Sequence, residues 1–200
     1  MFELIFASNN NDKTAEIQAA IGNFVSIITL KQAGINIEIP EPHDTLEANA
    51  SEKSNTIFKL TGKNCFSEDT GLEVTALHGE PGVRSARYLD EDKQFNNNTE
   101  KLLYKLIEVV DRSARFRTVI SLRLIEREFL FEGICKGSIA YHLIGSNGFG
   151  YDAVFVPLGS DKTFGEMTLG EKGLFSHRKK ATDNMVKFLQ HMITDHKKPR

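Results

Sequence analysis

The 200-residue chain has no tryptophan, two cysteines and five prolines. Cys65 and Cys135 lie in different halves of the sequence with no C-x-x-C spacing. That argues against a disulfide framework or a zinc site and for reduced thiols in a cytoplasmic protein. No apolar run approaches the roughly 20 residues of a membrane span. The opening Met1-Phe2-Glu3-Leu4 starts an apolar stretch too short for the core of a signal peptide. An excess of one charge is also missing: 25 basic against 27 acidic residues leave a net charge of −2. This balance argues against a protein that coats nucleic acid through a general positive field and leaves room only for a local basic patch. The one basic run, His196-Lys197-Lys198-Pro199-Arg200, reads as a frayed, solubilising end. The expectation is a soluble cytoplasmic protein with neither nucleic acid nor membrane as partner.

What is present fits an ordinary globule, with 40% hydrophobic and 26% charged residues. A chain of this length buries roughly 70% of its unfolded surface, so residues 1–200 are expected to form a single domain or two tightly joined lobes. Leu4 to Ala7 reads as a buried strand stopped by Ser8-Asn9-Asn10-Asn11-Asp12, and Lys13 to Ile21 as a helix ended by Gly22. Phe24–Leu30 and the alternating Ile35, Ile37, Ile39 look extended. Asp44 with Glu47 three positions on predicts a capped helix through Leu60, stopped at Gly62. Asn64 to Ser67 predicts a strand that Leu72 and Val74 continue, and Asn98-Thr99 caps a helix from Glu100 to about Val110. A hairpin follows at Phe116–Ile125 and Glu128–Ala140, then a glycine-rich loop at 145–150, a strand at Ala153–Val156 and a last helix from His177. The alternation of strands and helices makes an α/β protein.

Four segments have residue types that suit chemistry. Ser8 to Lys13 joins a strand to a helix start, where backbone N–H groups, amides and an ammonium suit a phosphate, or where asparagine simply caps the turn. Glu68-Asp69 stands at a strand end, where carboxylates hold Mg2+ or activate water, or form a plain Asx turn with Thr70-Gly71. In Gly148-Phe149-Gly150-Tyr151-Asp152, glycines permit close approach of a flat ligand and the aromatics stack on it, or serve a tight turn and the core. Lys172 and Ser176-His177-Arg178-Lys179-Lys180 load cations onto a helix start, against its dipole, as a bound anion or a solvated basic face would require. Apolar residues in that last helix begin only at Ala181, so the core gives no reason for His177 and Arg178.

Six segments in one order carry a resemblance: Ala7 to Lys13, Thr45-Leu46-Glu47-Ala48-Asn49-Ala50 with Lys53, Glu68-Asp69-Thr70-Gly71-Leu72, Gly82-Val83-Arg84-Ser85-Ala86-Arg87-Tyr88, Gly148 to Asp152, and Ser176-His177-Arg178. Together they resemble the inosine/xanthosine triphosphate pyrophosphatase family, whose members hydrolyse non-canonical purine nucleoside triphosphates. The likeness runs from Leu4 to about Met192. It implies an elongated two-lobed α/β fold around a long mixed β-sheet with flanking helices, an active site in the cleft between lobes, and a homodimer. It also implies Mg2+-dependent cleavage of ITP, dITP or XTP to the monophosphate and pyrophosphate. By the same resemblance, Ser8, Asn9, Asn10, Asn11, Asp12, Lys13 and Lys53 hold the phosphates. Asp69 activates water, and Glu41 with Asp69 binds the metal. Thr70, Phe149, Gly150, Tyr151, Asp152, Lys172, His177 and Arg178 contact the nucleotide, with the aromatic segment and His177-Arg178 at the base and Arg87 as a further cation.

Two segments depart from the family pattern. Glu41 lies in Pro40-Glu41-Pro42-His43-Asp44 where a Glu-Glu-Thr-Gly-like stretch is common, and Glu68-Asp69-Thr70-Gly71 replaces Asp-Asp-Ser-Gly while keeping the acids and the hydroxyl. The alternatives are a pyrophosphatase for other modified nucleotides and a nucleotide-binding sensor without catalysis.

Overall fold

A computed structural model describes residues 2–89 and 94–196; Lys197 to Arg200 of the basic C-terminal run lie outside them. The fold is α/β with a mixed sheet. Among the described residues seven strands run in the order β2-β1-β3-β5-β6-β7, with β4 paired to β3. They are β1 (Phe2–Phe6), β2 (Val25–Thr29), β3 (Cys65–Val74), β4 (Pro81–Gly82), β5 (Ser113–Leu124), β6 (Arg127–Ile139) and β7 (Phe155–Pro157). The helices are α1 (Asn11–Ile21), α2 (Leu46–Thr61), α3 (Asn98–Lys105), α4 (Leu169–Gly173) and α5 (His177–His196). The chain divides into two compact units, one of Met1–Asp69, Thr118–Gly133 and Arg178–Arg200, the other of Thr70–Arg117 and Ile134–His177.

In the first unit, β1 pairs in parallel with β2 and β3, Phe6 standing opposite Thr29 on one side and Phe66 on the other. Side chains of a strand alternate between faces, and β1 sorts its residues accordingly. Leu4 and Phe6 join Ile17 and Ile21 of α1, Phe66, and Ala181, Met185 and Leu189 of α5. Ile5 and Ala7 join Ile57 of α2 and Cys65. The Phe6 and Phe66 rings stack at 4.8 Å. Each such large side chain taken fully out of water is worth about 1.5–3 kcal/mol before entropy is counted. The second unit closes over its own core of Leu72, Val74, Leu102, Leu106, Phe116, Ile139, Phe155 and Phe164. Within it, β4 crosses so near β3 that a Cβ on Gly71 would lie 2.6 Å from the Gly82 carbonyl oxygen, which explains glycine after Thr70 without reference to a ligand.

Some boundaries differ from the sequence expectation. Ile35, Ile37 and Ile39 pack onto the α2-side core, yet residues 35–39 belong to no strand. Alternation reports which side chains face a core and is silent on whether a neighbouring strand is available to pair. The α2 cap is Thr45, whose hydroxyl accepts the Ala48 N–H at 3.2 Å; Asp44 lies one residue outside. Asn97 caps α3, which ends at Lys105, short of Val110. Gly62 ends α2 in the left-handed conformation (φ 64°), its N–H donating to the Phe58 carbonyl at 2.8 Å.

Candidate functional site

The predicted residues fall into sets that each belong to one unit. In the first unit the turn after β1 delivers Ser8 to Lys13. Asn10 is the α1 cap, its Oδ1 accepting the Lys13 N–H at 3.0 Å, and its own N–H donates to Ser8 Oγ at 3.2 Å. Asn9 Nδ2 donates to the Ile37 carbonyl at 3.0 Å, tying the turn to the unpaired 35–39 segment. Ser8, Asn9 and Asn11 line a cavity of about 570 Å³ with Thr14, Lys31 and Asn36. Asp12 is exposed. Asparagine thus caps the helix, and the turn also borders an open space.

Glu68 and Asp69 are separated by the same alternation that sorts the core. Phe66 faces α1 and α5 while Cys65 faces α2, and the acids continue the pattern. Glu68 Oε1 lies 2.7 Å from Lys13 Nζ and its Oε2 accepts from Arg178 Nε at 3.1 Å; Arg178 also pairs with Glu16. Asp69 turns to α2, where Lys53 Nζ donates to its Oδ1 at 3.1 Å and Asn49 Nδ2 approaches its Oδ2 at 3.4 Å. Lys53 also donates to Glu41 Oε1 at 2.5 Å. Glu41 and Asp69 therefore converge on one ammonium, and Glu68 belongs to a different cluster. Burial pushes the Asp69 carboxyl above the usual range; Lys53 opposes this, and Glu41 adds to it. Lys53 is buried, which by itself lowers its pKa, yet Asp69 and Glu41 carry the ammonium above its ordinary value.

In the second unit Lys172 Nζ donates to Asp152 Oδ2 at 2.5 Å and lies 5.2 and 5.1 Å from the centroids of the Phe149 and Phe164 rings. The Phe149 N–H donates to the same Oδ2 at 2.9 Å. Gly148 has φ 73°, and a Cβ there would lie 2.0 Å from that oxygen, so only glycine lets the loop wrap the carboxylate. Gly150 accepts from Thr99 through its carbonyl at 3.1 Å, and Tyr151 OH donates to the Ser85 carbonyl at 2.9 Å, making Tyr151 a core residue of this unit. His177 stacks on Phe116 at 4.6 Å and 12°. Thr70 continues β3, half-buried, and Arg87 closes a 3₁₀ turn whose N–H bonds the Arg84 carbonyl at 2.9 Å.

His177 and Arg178 are both 2% exposed, which corrects the expectation that burial does not account for them. Their partners come from distant segments: an aromatic ring for one and two carboxylates for the other. Local sequence pattern does not single out Glu16, Phe116, Phe164 or the amide of Asn49, although each packs against or bonds a predicted site residue. The signal for Asn49 was its place four residues before Lys53, on the same face of α2.

The acidic donor set suits a hard cation. Glu41 and Asp69 offer only oxygens, and among the described residues no group of three or more Asp, Glu, His or Cys side chains forms a metal cage. One or two carboxylates, with the other positions left to water and phosphate, is how Mg2+ is held beside nucleotides.

The profile of the Ham1 family matches residues 4–188. The dITP/XTP pyrophosphatase of Flavobacterium psychrophilum is 44% identical over 188 residues, which is 94% of this chain and 99% of that protein. The solved Ham1 protein of Staphylococcus aureus superposes with a TM-score of 0.84 at 38% identity, covering 95% of this chain and 99% of that one. The HAM1 protein of Coxiella burnetii gives 0.85 at 32% identity, covering 96% and 100%.

Proposed function

This chain belongs to the Ham1 family, and from that membership we propose that it hydrolyses non-canonical purine nucleoside triphosphates, dITP or ITP and XTP or dXTP, to the monophosphate and pyrophosphate. The observation that carries the reading is the meeting of Glu41 and Asp69 on the Lys53 ammonium. Phosphoryl transfer asks for positioning and charge neutralisation with a carboxylate to orient water, and this group has each part. Asp69 takes the proton of the attacking water, its carboxylate held in place by Lys53 at 3.1 Å. Lys53, Lys13 and the amides of Ser8 to Asp12 meet the phosphates. Thr70, Phe149 to Asp152, Lys172, His177 and Arg178 contact the nucleotide, Phe149 supplying a face for the base and Lys172 a donor to its 6-oxo group. Glu41 and Asp69 hold Mg2+, which when bound neutralises phosphate charge and polarises the phosphoryl group.

The reading includes residues 1–200 acting as a single catalytic domain, a homodimer, and action in the cytoplasm on the free nucleotide pool. Cys65 and Cys135 are buried and form no disulfide, which supports a reducing compartment. No helix among the described residues is long and apolar enough to cross a membrane. The deciding experiment measures pyrophosphate and orthophosphate released from dITP, XTP, dUTP and dTTP, with Mg2+ and with EDTA. Pyrophosphate from dITP and XTP, abolished by EDTA, is expected. Orthophosphate as the first product, or preference for the pyrimidines, overturns the reaction or its substrate class, and tight binding without turnover identifies a sensor. Sedimentation and cell fractionation test the dimer and the compartment.

A further inference from the structure

Resting on the pyrophosphatase reading above, we infer that Asn49 is a positioning residue: its buried amide fastens the segment that carries Glu41 and orients the Asp69 carboxylate. Asn49 is 0% exposed. Its Oδ1 accepts the His43 N–H at 2.9 Å, and its Nδ2 donates to the His43 carbonyl at 3.1 Å and towards Asp69 Oδ2 at 3.4 Å. One amide thus engages both main-chain groups of a single residue, as a neighbouring strand would. That residue needs it. Residues 35–43 form no ladder, and Pro40 and Pro42 remove two main-chain donors around Glu41. The amide thus fixes the main chain at His43, two positions after Glu41, while Lys53 holds the Glu41 carboxylate itself.

The second proton of Nδ2 points at the catalytic carboxylate. Lys53, at i+4 on the same helix face, holds Asp69 Oδ1 and Glu41 Oε1. Each oxygen of Asp69 is therefore engaged by a different α2 side chain, which fixes the rotation of the carboxylate plane as well as its place. The 3.4 Å contact is long, as such bonds often are before substrate tightens the site. The residue type is restrictive. Aspartate keeps an acceptor for the His43 N–H but has no donors and sets a like charge against Asp69, and alanine keeps none of the three contacts.

The test compares Asn49→Ala and Asn49→Asp in wild-type and Asp69→Asn backgrounds, with kcat and KM for dITP at saturating Mg2+ and His43 amide exchange by NMR. Asn49→Ala should lower kcat about 10- to 100-fold, the usual effect of losing a group that orients a site residue, with KM within about threefold. In the Asp69→Asn background the same change should cost the residual single-turnover rate several-fold less than in wild type, since its orienting share has nothing left to act on and only the fastening of the Glu41 segment remains. His43 exchange should quicken about tenfold in Asn49→Ala while the core amide of Ile57 keeps its rate. Asn49→Asp should protect the His43 N–H yet lose kcat as alanine does. An equal fall in both backgrounds, or wild-type kcat in Asn49→Asp, overturns the orienting role; unchanged His43 exchange overturns the clamp. A wild type that releases no pyrophosphate from dITP or XTP sinks the pyrophosphatase reading and the orienting role together, and His43 exchange then decides the clamp alone.

Discussion

Glu68 and Asp69, neighbours in β3, serve two separate charge clusters: Glu68 lies between Lys13 and Arg178, and Asp69 lies against Lys53 and Asn49 of α2. Adjacent acids in sequence suggest a shared task. The two-residue period of a strand divides it, and the two acids answer differently to mutation.

Asp69→Asn should fold normally and lose turnover by about two to four orders of magnitude, the range for removing a general base. It should also unfold at the same urea concentration as wild type or a higher one. Burial raises the folded pKa of this acid. Such an acid adds most stability at low pH, and that contribution declines as pH climbs from the unfolded pKa through the folded one. At neutral pH the ionised carboxylate is therefore a cost that asparagine removes. Retention of more than about a tenth of the activity sinks the assignment, and a clear loss of stability sinks the burial explanation.

Glu68→Gln should do the reverse in stability. The Glu68 side chain is wholly buried, and that of Arg178 is 2% exposed. Breaking a buried pair by removing one partner costs about 3–5 kcal/mol, softened here because Glu16 still holds Arg178. Urea unfolding should show a loss well above that of Asp69→Asn. Equal midpoints for the two variants would mean that Glu68 bears no structural charge.

Both thiols should be silent in the native protein. Cys65 is 0% exposed and Cys135 is 2% exposed, and burial pushes the Cys65 thiol up to about 12. Thiolate is the reactive form, so a disulfide reagent at pH 8 should label neither residue in the folded state and both after denaturation. Rapid labelling of either one in the native protein would refute this.

What the sequence made legible is local. The apolar run ending at Ala7, the asparagine turn and the glycine stops at Gly22 and Gly62 announce β1, α1 and the end of α2, because each depends on neighbours within a turn. The Asp44/Thr45 cap is off by one because both side chains are able to cap and the backbone chooses. The candidate site is legible in the sequence as a set of motifs and illegible as contacts. Glu41 meets Lys53 12 positions on, and Lys53 meets Asp69 16 further. Arg178 reaches Glu68 across 110 positions and Glu16 across 162. A helix-periodicity argument places Arg178 on a polar first turn. Only the fold supplies the carboxylates that let it be buried.

Arg178 provides the sharpest test of base recognition because its ion-pair role and the role proposed for it at the base separate by substitution. Removing the charge would take the shared guanidinium from Glu16 and Glu68, with Lys13 left to Glu68, so alanine confounds folding with specificity. Arg178→Lys keeps a cation between the two acids and gives up the planar fork. If the guanidinium also donates to the base, the lysine variant loses one charge-assisted hydrogen bond, about 1.5–3 kcal/mol, which is roughly a 10- to 150-fold fall in kcat/KM for ITP. ATP, which lacks the 6-oxo acceptor, should fall far less, so the preference between the two shrinks. If Arg178 serves only the ion-pair cluster, both substrates weaken alike and the ratio is unchanged. Measuring kcat/KM for ITP and ATP in Arg178→Lys, with the melting temperature as a check that the fold is retained, decides the point: an unchanged ratio removes Arg178 from the base and leaves discrimination to Lys172, whose ammonium lies within about 5 Å of two aromatic rings in the second unit.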